Sequence, residues 1–130
     1  MASPSAGCPF CAITPDQILI GHPLAVARHD LYPVSKGHTL IIPRRHVVSF
    51  FETTEAERQE MLRLLDETKA LLDLEHKPDG YNIGINDGMA AGQTVMHLHI
   101  HLIPRYMGDV PDQRGGVRWV LPEQAAYWKK

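Results

Sequence analysis

The sequence predicts an α+β fold, an antiparallel sheet of about five short strands with one long helix packed on it. Three observations predict it. Several short runs alternate apolar with polar residues, the two-residue period of a half-buried strand. One stretch, from Thr54 to His76, instead repeats its apolar residues every three or four positions, the stripe of an amphipathic helix. The chain has 130 residues, 44% of them hydrophobic and 22% charged. That is enough for one hydrophobic core and too little for two ordinary domains.

Taken in order, residues 1–7 read as a flexible tail. Leu19 to Val26 holds two apolar runs split by Gly21-His22-Pro23, a strand, a tight turn and a second strand that continues through Leu24 to Asp30. After a loop from Pro33 to Gly37, Thr39-Leu40-Ile41-Ile42 is a short buried-type strand closed by Pro43. These neighbours suggest a meander. Thr54-Glu55-Ala56-Glu57 has capping-box spacing with Thr54 as N-cap. Behind it Met61, Leu64, Leu65, Thr68, Leu71 and Leu72 form the stripe, and Pro78 and Gly80 end the helix near His76. The helix should cover one sheet face and leave the other for chemistry or a partner.

Tyr81-Asn82-Ile83-Gly84-Ile85-Asn86 alternates as a further strand. Asp87 to Thr94 is a loop of small residues leading into His97-Leu98-His99-Ile100-His101-Leu102, where strict alternation predicts a strand carrying three imidazoles on one face. Met107 to Gly116 reads as loop and Val117 to Pro122 as extended, within a C-terminal extension over 106–130. No repeat or low-complexity tract appears, so residues 1–130 are read as a single domain.

Composition narrows the function. A formal net charge of −2 without a basic stripe argues against a nucleic-acid binder; Arg44-Arg45 reads as a solvated strand edge. No apolar run approaches the roughly 18–20 residues of a membrane span. The N-terminus has neither the basic start nor the apolar run of a secretory signal. The expectation is a cytoplasmic protein without membrane or nucleic-acid partners. In Cys8-Pro9-Phe10-Cys11 the pair lies before any strand, which argues against thioredoxin-like redox work. Zinc would need two further ligands, which histidines could supply.

Three aligned imidazoles on a buried-looking strand either bind a metal or handle something anionic. Three rings on a straight strand span too far for one ion, whose Zn–N distances are about 2.0–2.1 Å. A neutral imidazole attacks phosphorus well and leaves well, its ordinary pKa being about 6.5. It can split a hard substitution into two easier ones through a covalent nucleotidyl-histidine. The middle ring, His99, is the natural nucleophile. The loop with Gly88, Gly92, Gln93 and Thr94 offers backbone N–H groups for a phosphate.

The run from Gly92 to Arg105, with its core His97-Leu98-His99-Ile100-His101-Leu102-Ile103, resembles the histidine triad (HIT) family signature His-φ-His-φ-His-φ-φ, φ being apolar. Gly37 to His46, Asp30 eight residues before His38, and Gly80 to Gly88 agree with the same family in order and spacing. The resemblance runs from about Cys8 to Arg105. It implies a nucleoside phosphate substrate, with His99 as nucleophile at the α-phosphorus and His101 and Gln93 contacting phosphate or leaving group. It further implies that His38 hydrogen-bonds His99, that Asn86 and Thr94 line the phosphate site, that Asp30 binds ribose, and that Leu31 and Phe10 flank the base. Members are homodimers whose sheets join across the subunit boundary.

Several bacterial members bind zinc through a Cys-x-x-Cys and two histidines. Here that set is Cys8, Cys11, His46 and His97, a closed four-ligand set and hence a structural metal. The tail from Gly115 to Pro122 also resembles bacterial members that hydrolyse diadenosine polyphosphates. The resemblance therefore implies a hydrolase or transferase of nucleoside phosphoramidates or dinucleoside polyphosphates, releasing AMP or another monophosphate without an organic cofactor. The alternative from a different class is a nucleotide-binding sensor or adaptor with incidental hydrolysis.

Overall fold

The computed structural model describes residues 6–129; of the expected tail, residues 1–5 lie outside the described residues. Five strands build an antiparallel sheet: β1 (Ile20–Gly21), β2 (Ala25–His29), β3 (Thr39–Pro43), β4 (Gly80–Gly84) and β5 (Ile100–Arg105). Their spatial order is β1-β2-β3-β5-β4, so the expected meander holds for the first three and β5 then inserts between β3 and β4. The register Arg28↔Leu40, Leu40↔His101 and Gly84↔His101 places these residues in one row across the sheet. Among the described residues, no helix is long and apolar enough to cross a membrane.

Helix α1 (Glu55–His76) follows from its caps and its stripe. Thr54 Oγ1 accepts from the Glu57 N–H and Glu57 Oε1 accepts from the Thr54 N–H, closing the capping box. The C-terminus stops at Lys77, in the left-handed region at φ 49°. Met61, Leu64 and Leu72 are fully buried. Met61 and Leu64 join Ala25, Ala27, Ile41, Leu98 and Ile100 in the main core on the helix side of the sheet. Thr68 keeps its hydroxyl satisfied inside this apolar stripe by donating to the Leu64 carbonyl at 2.7 Å. On the opposite face Val26, Leu40 and Ile42 pack with Phe10, Ile13 and Ile18.

Three expectations need correction. The strand expected from His97 begins only at Ile100. Alternation nonetheless persists, with Leu98, Ile100 and Leu102 all buried. The ladder is shorter because β3 ends at Pro43, which has no N–H to continue it. The Leu98 N–H donates instead to Val47 O at 2.7 Å. The segment expected to be extended over Val117–Pro122 is a 3-10 turn (Gly116–Val120) followed by a short helix α2 (Pro122–Ala125). Local bonds fold it back: Arg118 donates to the carbonyls of Ala125 and Gln124, and Trp119 Nε1 to that of Arg114. Nor is Arg45 a solvated edge. It donates two hydrogen bonds, at 3.0 and 2.9 Å, to the buried Glu57 carboxylate and so fastens the end of β3 to the start of α1.

Candidate active site and metal centre

The sheet face left uncovered by α1 carries a cleft of about 560 Å³, within the range that takes a small-molecule ligand. Its walls include Asp30, Leu31, His38, Asn86, Thr94, His99 and His101. Pro9 and Phe10 from the Cys-x-x-Cys segment close one side, and Arg28 and Leu40 form part of the floor. Eight sequence-predicted residues, Phe10 among them, thus meet around one space.

Each triad ring is fixed by a different partner. His99 Nδ1 lies 2.8 Å from the His97 carbonyl oxygen. A carbonyl only accepts, so Nδ1 carries the hydrogen and Nε2 keeps a bare lone pair. The Val34 N–H donates to His38 Nδ1 at 3.1 Å, which puts the hydrogen of His38 on Nε2. That Nε2–H then donates to His101 Nδ1 at 2.9 Å, leaving His101 with an Nε2–H. The resemblance implied that His38 bonds His99; the structure places it against His101 instead. Asp30 supports this pair, with Oδ2 3.5 Å from His38 Nε2 and Oδ1 accepting from the Tyr32 N–H at 2.9 Å.

Electrostatics agree with neutral rings. Burial pushes the His101 pKa down to about 4, with the neighbouring His99 and His38 rings adding to the effect. Burial also lowers His38, the Asp30 carboxylate opposing it in part. At neutral pH this pair presents an N–H donor to the cleft without a buried charge.

Gln93 departs from expectation. Its side chain is 5% exposed and is absent from the cleft wall. Its Oε1 accepts from the Gly88 N–H at 2.8 Å, and its Nε2 donates to the carbonyls of Val48 and Val95 at 3.0 and 3.2 Å. A side chain so committed holds the loop together. Gly88 and Gly92 sit at φ 92° and 95°, a region that side chains disfavour, and frame the 3-10 turn Met89–Ala91 that the clamp secures. Asn82, too, is taken up, accepting from Arg105 at 2.6 Å.

The second expected constellation also assembles. The ligand atoms of Cys8, Cys11, His46 and His97 all lie within 4.8 Å of one another. His97 is fully buried and donates Nε2–H to the Pro43 carbonyl at 2.8 Å. Its Nδ1 lone pair therefore faces the sulfurs of Cys8 and Cys11, at 3.4 and 3.6 Å. His46 Nδ1 is 3.1 Å from Cys11 Sγ. Tetrahedral zinc with two sulfurs and two nitrogens spaces its ligand atoms about 3.3–3.8 Å apart, so donor set and spacing fit that ion. A ring nitrogen held by a backbone carbonyl is the usual outer support of a metal-binding histidine. Phe10, between the two cysteines, sets its ring edge-on to His99 at 5.0 Å and to His97 at 5.9 Å.

Sequence reasoning missed Val34, whose N–H orients His38, and the carbonyls of His97 and Pro43. Backbone groups leave no signature in residue types. It missed Arg28 as well, for a lone arginine in a strand pattern reads as a surface residue.

Known proteins place these features in one lineage. An uncharacterized HIT-like protein of Mycoplasma genitalium is 39% identical over 106 residues, covering 78% of this chain and 75% of its own. A bis(5'-nucleosyl)-tetraphosphatase of Schizosaccharomyces pombe is 34% identical over 72% of this chain, which spans about half (51%) of that protein's length. A crystal structure of a zinc-bound histidine triad family protein from Mycobacterium smegmatis superposes with a TM-score of 0.71 at 33% identity, covering 88% of this chain and 90% of that one. Residues 13–108 match the HIT domain. With its triad, its sheet and that match in agreement, the chain belongs to the HIT family.

Proposed function

We propose that this protein is a nucleotide hydrolase or transferase that cleaves at the α-phosphate of nucleoside phosphoramidates or dinucleoside polyphosphates through a nucleotidylated His99. The observation that carries the reading is the 2.8 Å bond from His99 Nδ1–H to the His97 carbonyl, which leaves the Nε2 lone pair for attack. Attack forms a P–N bond while the bond from phosphorus to the leaving group breaks. The leaving group departs with that electron pair and takes a proton from water at the mouth of the cleft. Water then forms a new P–O bond to the same phosphorus. The P–N pair returns to Nε2, a proton passes to solvent, and the nucleoside monophosphate is released.

The neighbours have roles in both steps. The His97 carbonyl dipole faces the positive charge that His99 acquires when phosphorylated. His101 offers its Nε2–H to a non-bridging phosphate oxygen, and His38 keeps it in that tautomer. Thr94 and Asn86 line the phosphate end, Asp30 takes ribose hydroxyls, and Leu31 and Phe10 flank the base. Zinc on Cys8, Cys11, His46 and His97 would be structural, pinning the N-terminal segment to the sheet, since four protein ligands leave no open position for substrate. A homodimer joined along β4 is supported by that strand's place at the sheet edge, with Ile83, Val117 and Val120 exposed nearby.

Intact-mass spectrometry after rapid mixing with AMP-morpholidate tests the reading. The expected result is a transient AMP adduct that maps to the His99 peptide and disappears in His99→Asn, with turnover abolished. Turnover at the normal rate in His99→Asn overturns it, and tight nucleotide binding without AMP release would favour a sensor.

A further inference from the structure

Arg28 is 5% exposed on β2 and forms part of the cleft floor. Among the described residues the one hydrogen bond of its side chain runs from Nε to the His29 carbonyl at 3.3 Å. No carboxylate lies within ion-pair distance of it among those residues. Its two terminal nitrogens are not sealed off either, since the sole buried and unpartnered side-chain nitrogen or oxygen among the described residues is Trp128 Nε1. They therefore keep access to solvent, and Arg28 is one of the residues that line the cleft. Burying a guanidinium with so little compensation is costly unless a ligand completes it. Its surroundings on that face, Val26, Leu40, Ile42 and Phe10, are apolar, where packing alone would be served better by another aliphatic side chain.

Register fixes the strand position from which Arg28 reaches a bound nucleotide. Arg28 pairs with Leu40, and Leu40 with His101, so the Arg28 backbone is two strand spacings, about 9.5 Å, from that of His101 on the same sheet face. Asp30, next on the same face, takes the ribose position in the reading above. With phosphate at His99 and His101 and ribose at Asp30, the base is the part that reaches Arg28. A second anion there would face the Asp30 carboxylate; a neutral acceptor edge would not.

We infer that Arg28 reads the base and selects a 6-oxopurine, its two N–H groups meeting N7 and O6 of guanine. Adenine offers N7 beside an N6 amino group, a donor against a donor, and is rejected. This inference rests on the nucleotide-binding reading and goes beyond it by naming the base. Calorimetric titration of the full chain with GMP and with AMP, at one ionic strength, tests it. GMP is expected to bind at least about tenfold tighter, the worth of a good bidentate contact. Arg28→Leu should bring the ratio to about one, and Arg28→Gln should tip it toward AMP, because an amide pairs with N6 and N7 of adenine. Thermal melting of each variant reports whether it folds; if one does not, the wild-type ratio still decides. Equal affinity or an adenine preference in the wild type overturns the inference and leaves His99 chemistry standing, as does a guanine preference that survives Arg28→Leu. If neither nucleotide binds and no adduct forms, the functional reading itself falls.

Discussion

Gln93→Met separates two roles for one residue, a substrate contact and a structural clamp. The native amide makes three hydrogen bonds, at 2.8, 3.0 and 3.2 Å, to backbone groups of Gly88, Val48 and Val95. At about 1 kcal/mol each, their loss costs about 3 kcal/mol. Methionine keeps the length and recovers about 1 kcal/mol by apolar burial, for a net loss of about 2 kcal/mol. For a chain of 130 residues that lowers the melting temperature by about 8 °C. Urea denaturation followed by circular dichroism measures the loss directly. Turnover should fall as well, but in step with loosening of the 88–95 loop, so that Kd for the nucleotide rises together with the fall in kcat. A variant as stable as the wild type that has lost only kcat would refute the clamp and return Gln93 to the phosphate.

Other outcomes follow from the same geometry. Chelation, or Cys11→Ser, should lower thermal stability and release inductively measured zinc near one per chain, while added divalent ions leave the rate of adduct formation unchanged; metal-dependent restoration of the chemical step would contradict a structural ion. His101 should titrate near pH 4 by its ring proton shifts, as its pKa is about 4. An unfolded histidine takes up its proton near pH 6.5. The His101 contribution to stability is therefore complete above about 6.5 and is lost as pH falls toward 4, and His101→Asn should flatten that part of the stability curve; a ring midpoint near 6.5 would contradict this. Glu57→Ala removes the partner of Arg45 and half of the capping box, and should cost about 2 kcal/mol in denaturant unfolding, below the roughly 3–5 kcal/mol of a fully buried broken pair because the Arg45 side chain is 34% exposed.

The parts legible in the sequence were those that local chemistry decides. Thr54 and Glu57 announce the start of α1 because a capping box is four residues long, and Leu98, Ile100 and Leu102 announce an inward face because alternation is a property of neighbours. Cys8, Cys11, His46 and His97 were nameable as a set only through the resemblance to zinc-binding family members, since the residue types alone leave eight histidines to choose from, and the structure does bring the four together. The insertion of β5 between β3 and β4 was not legible, for it joins residues such as Leu40 and His101 that lie far apart in the chain. The pairing of His38 with His101 depends on that same register and on a backbone N–H at Val34. The tail from Gly116 to Ala125 escaped for a different reason. Its apolar run reads as a strand, but arginine bonds to nearby carbonyls and the turn they close outweigh that propensity.

The shortfall at His97 is itself informative. In a regular strand its carbonyl would be committed to a neighbouring ladder, as every second carbonyl is on each side of a central strand. Because β5 starts only at Ile100, that oxygen is released to accept from the His99 ring two residues on. The same bend lets the His97 ring turn to the Pro43 carbonyl, which the end of β3 has likewise left unpaired. One local departure from strand geometry thus sets two tautomers, directing the lone pair of His97 toward the thiols and that of His99 toward the cleft. A residue that restored the ladder here would add hydrogen bonds to the sheet and disarm the proposed nucleophile. Local rules of secondary structure are therefore least reliable at the position where the proposed chemistry most needs them broken.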